Sequence, residues 1–285
     1  MPWISGYPLG GSKKVVFGIA KRFEEKGEKI EYKKVVKDLI IENDKVTGIE
    51  LEDGSLHKAD IVVWAADGHH LLFDILKEKY MSKKIRTMYK EWIPVEPLIH
   101  VMFGVDMDLS NESHMHLLEI QKPIKVAGKE FSWLTILNHC FDKSTAPAGK
   151  SAIEVWYATD YSYWEELIKD RGKYDAEKKR IADETADALD IRCPGFKSKI
   201  EMVDVPTPAT YKRYTGNWLG SPDGWYITID NMMDQAVKRT LPGLNNFYMA
   251  GQWTAPYTGT VSTSLSGRQL SQILCRKYGR EFKTR

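Results

Sequence analysis

The chain has 285 residues, 42% of them hydrophobic and 11% aromatic, which is enough to bury the core of one large domain or of two average ones. Its 41 basic and 39 acidic residues are spread throughout and leave a net charge of +2, so we expect no nucleic-acid partner. The three cysteines form no CxxC pair and no apolar run reaches membrane-spanning length. We therefore expect a globular cytoplasmic protein without a disulfide framework, with at most a peripheral membrane contact.

The first 80 residues predict a helix, a β-meander and a second helix. The first helix is expected at 12–26, where an apolar stripe indicates packing on a sheet. Strand-like runs follow at four places, 29–33, 35–42, 45–52 and 59–66. Asn43-Asp44 and Asp53-Gly54 predict turns between them. The segment 68–80 then predicts a helix with leucines facing inward.

The histidines predict no metal site. His69 and His70 are adjacent, so on a helix they point in different directions. His114 and His116 would share one face of a strand, but no acidic or cysteine partner at ligand spacing accompanies them. We therefore expect no bound metal.

The residues between 92 and 226 predict an antiparallel sheet with one outer helix at 175–189. Strand-like runs are expected at five places, 98–105, 116–121, 131–139, 152–158 and 199–205. Many aromatic residues in this region suit the lining of a pocket for an apolar small molecule. As substrate-binding residues we expect five aromatic side chains, Trp133, Trp156, Tyr214, Trp218 and Tyr257. A core built from aromatic rings would have the same composition.

The stretch 244–278 passes from a short apolar strand at 246–250 through a glycine-bearing loop into a helix that begins near Ser262. Small residues at the start of that helix would let a ligand approach the backbone. A helix N-terminus carries unpaired N–H groups and partial positive charge, so it favours an electron-rich or anionic group. The simpler alternative is an ordinary strand, loop and helix with a serine cap.

The loop and helix resemble the C-terminal FAD motif of phytoene desaturases, within the phytoene dehydrogenase-related flavoproteins. Six residues carry the match, Gly251, Thr254, Pro256, Gly259, Ser266 and Gly267. The segment 6–67, from GYPLGGS to ADIVVWAAD, and the segment 207–226, TPATYKRYTGNWLGSPDGWY, are similar to the same flavoproteins. Carotenoid desaturases tend to have glycine or proline at four positions where this chain differs, Trp253, Tyr257, Val261 and Ser262, which leaves the substrate open.

The resemblance implies an FAD cofactor and a set of contacts to it. The loop and helix contacts would come from Gly251, Gln252, Gly259, Thr260, Val261 and Ser262. Val36 would meet the adenine through its backbone, although a valine of a core strand would look the same. Ala65, Ala66 and Asp67 would lie near the cofactor. The helix N-terminus would point at the pyrimidine edge of the flavin, where reduction places negative charge.

The fold class implied is α/β, with a partial FAD/NAD(P)-binding, Rossmann-like domain that includes a β-meander. This domain would comprise 1–90 and 240–285, interrupted at 91–239 by an α+β antiparallel-sheet substrate domain. Nucleotide-binding flavoproteins hold the pyrophosphate with GxGxxG in a first βαβ unit, and these residues contain no such set. We therefore expect a C-terminal portion of an enzyme that binds FAD weakly alone and associates with itself through bared apolar surface.

The implied function is that of an FAD-dependent oxidoreductase that moves hydride between flavin and a large apolar substrate, isoprenoid or carotenoid-like. The catalytic residues are not predicted, because no triad, Walker loop or telling pair of carboxylates occurs. Two alternatives stay open. The chain could be a non-catalytic module that binds apolar ligands, or one subunit of a split flavoenzyme whose ADP-binding half is a separate polypeptide.

Overall fold

The computed structural model describes residues 6–232, 239–254 and 259–284. The helices are α1 (Gly11–Glu24), α2 (Lys83–Glu91), α3 (Tyr161–Leu167), α4 (Arg171–Arg192), α5 (Pro208–Thr215) and α6 (Gly259–Lys277). The strands are β1 (Val36–Glu42), β2 (Lys45–Leu51), β3 (Leu56–Lys58), β4 (Val62–Trp64), β5 (Leu98–Val105), β6 (Met115–Val126), β7 (Lys129–Asn138), β8 (Ser151–Ala158), β9 (Ile200–Asp204) and β10 (Phe247–Met249). The predicted mixed α/β character is therefore confirmed.

Two compact units make up the chain. The first unit comprises residues 6–32 and 98–209, and the second comprises 33–97 and the described residues from 210 onward. The sequence analysis assigned a cofactor to one domain and a substrate to the other. This assignment of ligands to domains stays a prediction. The structure groups the first helix with the residues of the large sheet, and it groups 210–232 and Arg239 with the meander.

The first unit is built on a five-stranded antiparallel sheet in the order β6-β7-β8-β5-β9, as the sequence predicted. Alternate residues of its strands are buried on one face, among them Ile99, Val101, Phe103, Val155 and Tyr157. Helix α4 covers this face with the side chains predicted to point inward, Ile181, Ala182, Thr185, Ala186 and Leu189. Each large side chain buried there contributes roughly 1.5–3 kcal/mol relative to its exposed state.

The predicted packing of the first helix on a sheet is wrong. Helix α1 forms at nearly the predicted position, but none of its residues is buried. Val16, Phe17 and Ile19 are 54–63% exposed. The apolar stripe is real, yet no element of the described residues covers it. The strand predicted at 29–33 is also absent, because that segment has no regular structure.

The second unit contains the predicted meander, in which β1, β2 and β3 pair antiparallel. Asn43 and Asp44 both have positive φ, as the tight turn between β1 and β2 requires. The buried strand expected at 59–66 is shorter, since only β4 forms there. It pairs in parallel with β10, so the carboxyl ends of these two strands lie at one edge.

The helix predicted at 68–80 is instead one π-helical turn at His70–Ile75. Its inward leucines are correct, because Leu71 and Leu72 are buried in the core of the second unit. The following α2 was not predicted. It begins with a side-chain cap in which Ser82 Oγ accepts from Ile85 N.

Candidate functional site

Four residues predicted to contact a cofactor line one cavity of about 600 Å³ in the second unit, and these are Val36, Ala65, Ala66 and Asp67. The three consecutive residues follow β4 directly, at the carboxyl edge of the parallel pair with β10. In α/β proteins ligands bind at that edge of parallel strands. The cavity is also lined by eight residues that sequence reasoning did not single out as contacts, Lys34, Val35, Val63, Trp64, His70, Lys212, Thr215 and Gly216.

Asp67 is a structural centre of this wall. Its side chain is 4% exposed, and both carboxylate oxygens accept backbone hydrogen bonds. Oδ1 accepts from His70 N at 2.7 Å, which holds the start of the π-helical turn. Oδ2 accepts from Trp218 N at 2.8 Å, 151 positions along the chain. The backbone carbonyl of Asp67 accepts from Trp64 Nε1 at 2.8 Å. Both oxygens of the Asp67 carboxylate therefore accept backbone hydrogen bonds that hold the wall of the cavity.

Gly251 lies just beyond β10, with a φ of 96° that favours glycine. Its N–H donates to Ser266 Oγ at 2.9 Å, and its carbonyl accepts from Thr254 Oγ1 at 2.7 Å. Arg239, which sequence reasoning missed, donates to the hydroxyls of Thr254 and Ser266 and to Gln269 Oε1. Burial lowers the pKa of Arg239, and none of the described residues offers it a carboxylate. These contacts fasten the glycine loop to α6.

A second cavity, of about 270 Å³, lies at the start of α6 and is lined by Gln252, Gly259 and Thr260 among the predicted residues. Gly259 N donates to Asp223 Oδ2 at 2.5 Å, so this carboxylate takes the anion-favouring position at the helix N-terminus. Asp223 lies in a segment that the resemblance included, but no sequence signal pairs it with Gly259, 36 positions away.

The other predicted contacts are placed differently. Val261 is 82% exposed and Ser262 is half-buried, and neither lines the two cavities described above. The assignment of flavin contacts to these residues stays a prediction.

The predicted substrate residues are divided between the two units, and their role stays a prediction. Trp133 and Trp156 belong to the sheet of the first unit, whereas Tyr214 and Trp218 belong to the second unit. Tyr214 is 76% exposed. Tyr257 lies outside the described residues.

Trp218 belongs to an aromatic cluster of the second unit. Its ring stacks on His69 at a centroid distance of 4.8 Å and contacts Tyr89, Trp225 and Trp253. Burial, partly offset by Asp67 and Asp74, lowers the pKa of His69. This packing supports the alternative interpretation, in which Trp218 is part of a core built from aromatic rings.

Within 6–232, 239–254 and 259–284, no group of three His, Cys, Asp or Glu side chains is arranged to hold a metal ion. His114 lies before β6 and bonds to Asn138 O, while His116 Nε2 lies 3.8 Å from Glu112. In the same ranges, no helix is both long and apolar enough to cross a membrane.

The fold is similar to that of an oxidoreductase from Methanosarcina mazei, with a TM-score of 0.60 at 15% identity, over 93% of this chain and 55% of that chain. Residues 5–274 match the family described as flavin containing amine oxidoreductase, and the chain belongs to this family.

Two curated relatives make the resemblance to carotenoid enzymes more specific. The chain is 25% identical over 289 residues to the chloroplastic prolycopene isomerase of Daucus carota, covering 98% of this chain and 45% of the relative. It is 23% identical over 300 residues to a lycopene-forming phytoene desaturase of Pseudescherichia vulneris, covering 95% of this chain and 56% of the relative. The chain spans about half the length of these relatives.

Proposed function

We propose that this chain carries part of the FAD site of an oxidoreductase that acts on a large apolar substrate. The observation that supports it most is that one cavity is lined by Val36, Ala65, Ala66 and Asp67, the residues that the family resemblance implies as cofactor contacts. That cavity lies at the carboxyl edge of two parallel strands and has a volume typical of ligand sites. The membership of a flavin-containing family agrees with it.

The residues present fit an FAD molecule in three respects. The large cavity has a largely apolar wall that suits a ring system. Gly251 has a φ of 96°, a backbone conformation that favours glycine, and it follows the strand that pairs with β4. The first turn of α6 offers backbone N–H groups and partial positive charge.

FAD, when bound, accepts hydride equivalents from the substrate. The start of α6 stabilises negative charge placed against it by roughly 0.3–2 kcal/mol, depending on burial. Asp223 and an oxygen of the flavin would compete for the N–H of Gly259, because both are acceptors. Gly251, held by Ser266 and Thr254, keeps the loop fixed on α6.

These 285 residues contain no GxGxxG set, so we propose that the pyrophosphate contacts come from outside them. The source would be a longer form of the chain or a separate polypeptide. Exposed apolar residues of α1 offer surface for such a contact or for self-association. The remaining alternative, a module that binds apolar ligands without flavin, predicts no flavin in any of these contexts.

Filling the large cavity should remove flavin. We expect Ala66→Trp to lower FAD retention at least tenfold in the full-length protein or in the chain reconstituted with a polypeptide that carries GxGxxG, because the indole would occupy space that the ring system needs. Protein-bound absorbance in the visible flavin bands measures retention. Ala59→Trp is the matched control, since Ala59 is exposed on the same meander and does not line the cavity. Equal retention by both variants would contradict the assignment.

A further inference from the structure

The face of the five-stranded sheet that points away from α4 is here called the outer face. Trp156 pairs with His100 on β5 and with Thr135 on β7, so these three side chains share one face. Trp133, two residues from Thr135, shares it as well. Trp133 is 55% exposed, and Leu117, which pairs with Thr135, is 67% exposed. The outer face therefore presents apolar side chains to solvent.

One buried carboxylate lies within this apolar face. Glu154 is 9% exposed and accepts three hydrogen bonds. Its Oε1 accepts from His100 Nδ1 and from Trp156 Nε1, the latter at 2.7 Å. Its Oε2 accepts from His139 Nε2 at 2.8 Å. Burial acts to raise the pKa of Glu154, but the hydrogen bonds from His100, His139 and Trp156 outweigh it and lower the pKa.

The carboxylate determines which nitrogen of His139 carries the proton. An ionised carboxylate can only accept, so Nε2 of His139 must be the protonated nitrogen of that contact. In the uncharged ring Nδ1 then carries a lone pair and is an acceptor. The side chain of His139 is 25% exposed, and within the described ranges no hydrogen bond to Nδ1 occurs. Phe141, which is 43% exposed, has its ring centroid 6.3 Å from that of His139, so the fixed acceptor lies next to exposed apolar surface.

We propose that the outer face binds an apolar ligand that carries a hydroxyl group, and that His139 Nδ1 accepts the hydrogen bond from this hydroxyl. Phe141 supplies the apolar contact beside the ring, Leu117 and Trp133 supply it farther along the face, and Glu154 is the positioning residue that holds the ring in the accepting tautomer. This inference rests on the proposed function, because it narrows the apolar substrate to one with a hydrogen-bond donor. A pure hydrocarbon would leave Nδ1 unpaired once the ligand excluded water.

Three probes with the same isoprenoid chain test it, namely farnesol, farnesene and farnesoic acid. Binding to the full chain is followed by intrinsic tryptophan fluorescence, since Trp133 and Trp156 lie on the outer face. We expect farnesol to bind about fivefold more tightly than farnesene, as one net neutral hydrogen bond would give. Nitrogen NMR should show a protonated Nε2 and a bare Nδ1 in His139.

The variants separate a positioning role from a structural one. His139→Phe should equalise farnesol and farnesene while retaining farnesene affinity, and His139→Leu, which also lacks an acceptor, serves if the phenylalanine variant does not fold. Glu154→Gln should reduce the preference and populate both tautomers, because an amide no longer requires the proton on Nε2. His116→Phe is the matched control, since His116 also lies near a glutamate, Glu112, but pairs with Ile136 and so lies on the opposite face of the sheet. It should leave the preference unchanged.

Four results would overturn the inference: no binding of any probe, equal binding of farnesol and farnesene, tightest binding of farnesoic acid, or a preference that survives loss of the His139 ring. Tightest binding of farnesoic acid would mean that the His139 ring is cationic and donates to the ligand. A preference that survives loss of the ring would mean that a different group accepts from the hydroxyl. FAD retention is measured in parallel. Absence of flavin with an intact hydroxyl preference would count against the proposed function alone.

Discussion

Replacing Gly259 with valine is expected to abolish flavin retention in the full-length or reconstituted protein while leaving the far-ultraviolet circular dichroism unchanged. Gly259 has a φ of 90°, so any L side chain is strained there. A Cβ at this position meets nothing within 4 Å, which means that the valine would project into the space where the flavin edge is proposed to lie. The loss of bound flavin is read from absorbance after gel filtration.

The control for Gly259→Val is Gly279→Val, just beyond the other end of α6. Gly279 also has a positive φ, 63°, and its Cβ would also meet nothing within 4 Å. The two variants therefore carry similar backbone strain, but only Gly259 lines a cavity. Stoichiometric flavin with an unchanged reduction potential in Gly259→Val would show that the glycine is only a structural turn.

Removing the carboxylate of Asp67 should have the largest effect on stability among the site residues. Asp67→Ala leaves the N–H groups of His70 and Trp218 without their acceptor. Trp218 is half-buried and His70 is exposed, and a buried group left unpaired costs roughly 1–3 kcal/mol, so we expect the free energy of unfolding to fall by about 2 kcal/mol. Urea unfolding followed by circular dichroism measures this change.

Asp74→Ala provides the comparison for Asp67→Ala. Asp74 Oδ2 also contacts His70, through the ring Nδ1 at 3.0 Å, but both side chains are about half exposed. An exposed pair of this kind contributes about 0–1 kcal/mol. A loss in Asp67→Ala no greater than in Asp74→Ala would contradict the central structural role given to Asp67.

Helices and strands whose apolar residues recur at a regular spacing were predicted well, because burial of one face imposes that spacing on the sequence. The inward face of α4 and the alternation along β5 follow from it directly. The same signal failed for α1, since an apolar stripe shows that a helix is amphipathic but not what covers it. The π-helical turn at His70–Ile75 was also beyond reach, because α- and π-helical turns place the same leucines inward.

The family motifs led to residues that line the large cavity, Val36 and Ala66 among them, because these motifs are contiguous in sequence. Contact of these residues with a cofactor stays a prediction. Asp223, Arg239 and the pair of His139 with Glu154 were missed, since each acts through a contact between segments that no spacing rule connects. Such contacts become visible only when the strands and helices are assembled.

The residues that line the large cavity and the start of α6 are proposed to form part of a flavin site. The most direct measurement is the visible absorbance of the purified chain after incubation with FAD, alone and together with a polypeptide that carries the GxGxxG segment. We expect weak or no retention by the chain alone and stoichiometric bound flavin in the combined sample. Submicromolar FAD binding by the chain alone would contradict the proposal that the pyrophosphate contacts come from outside it. A colourless combined sample, with both components folded and associated, would contradict the flavin site itself.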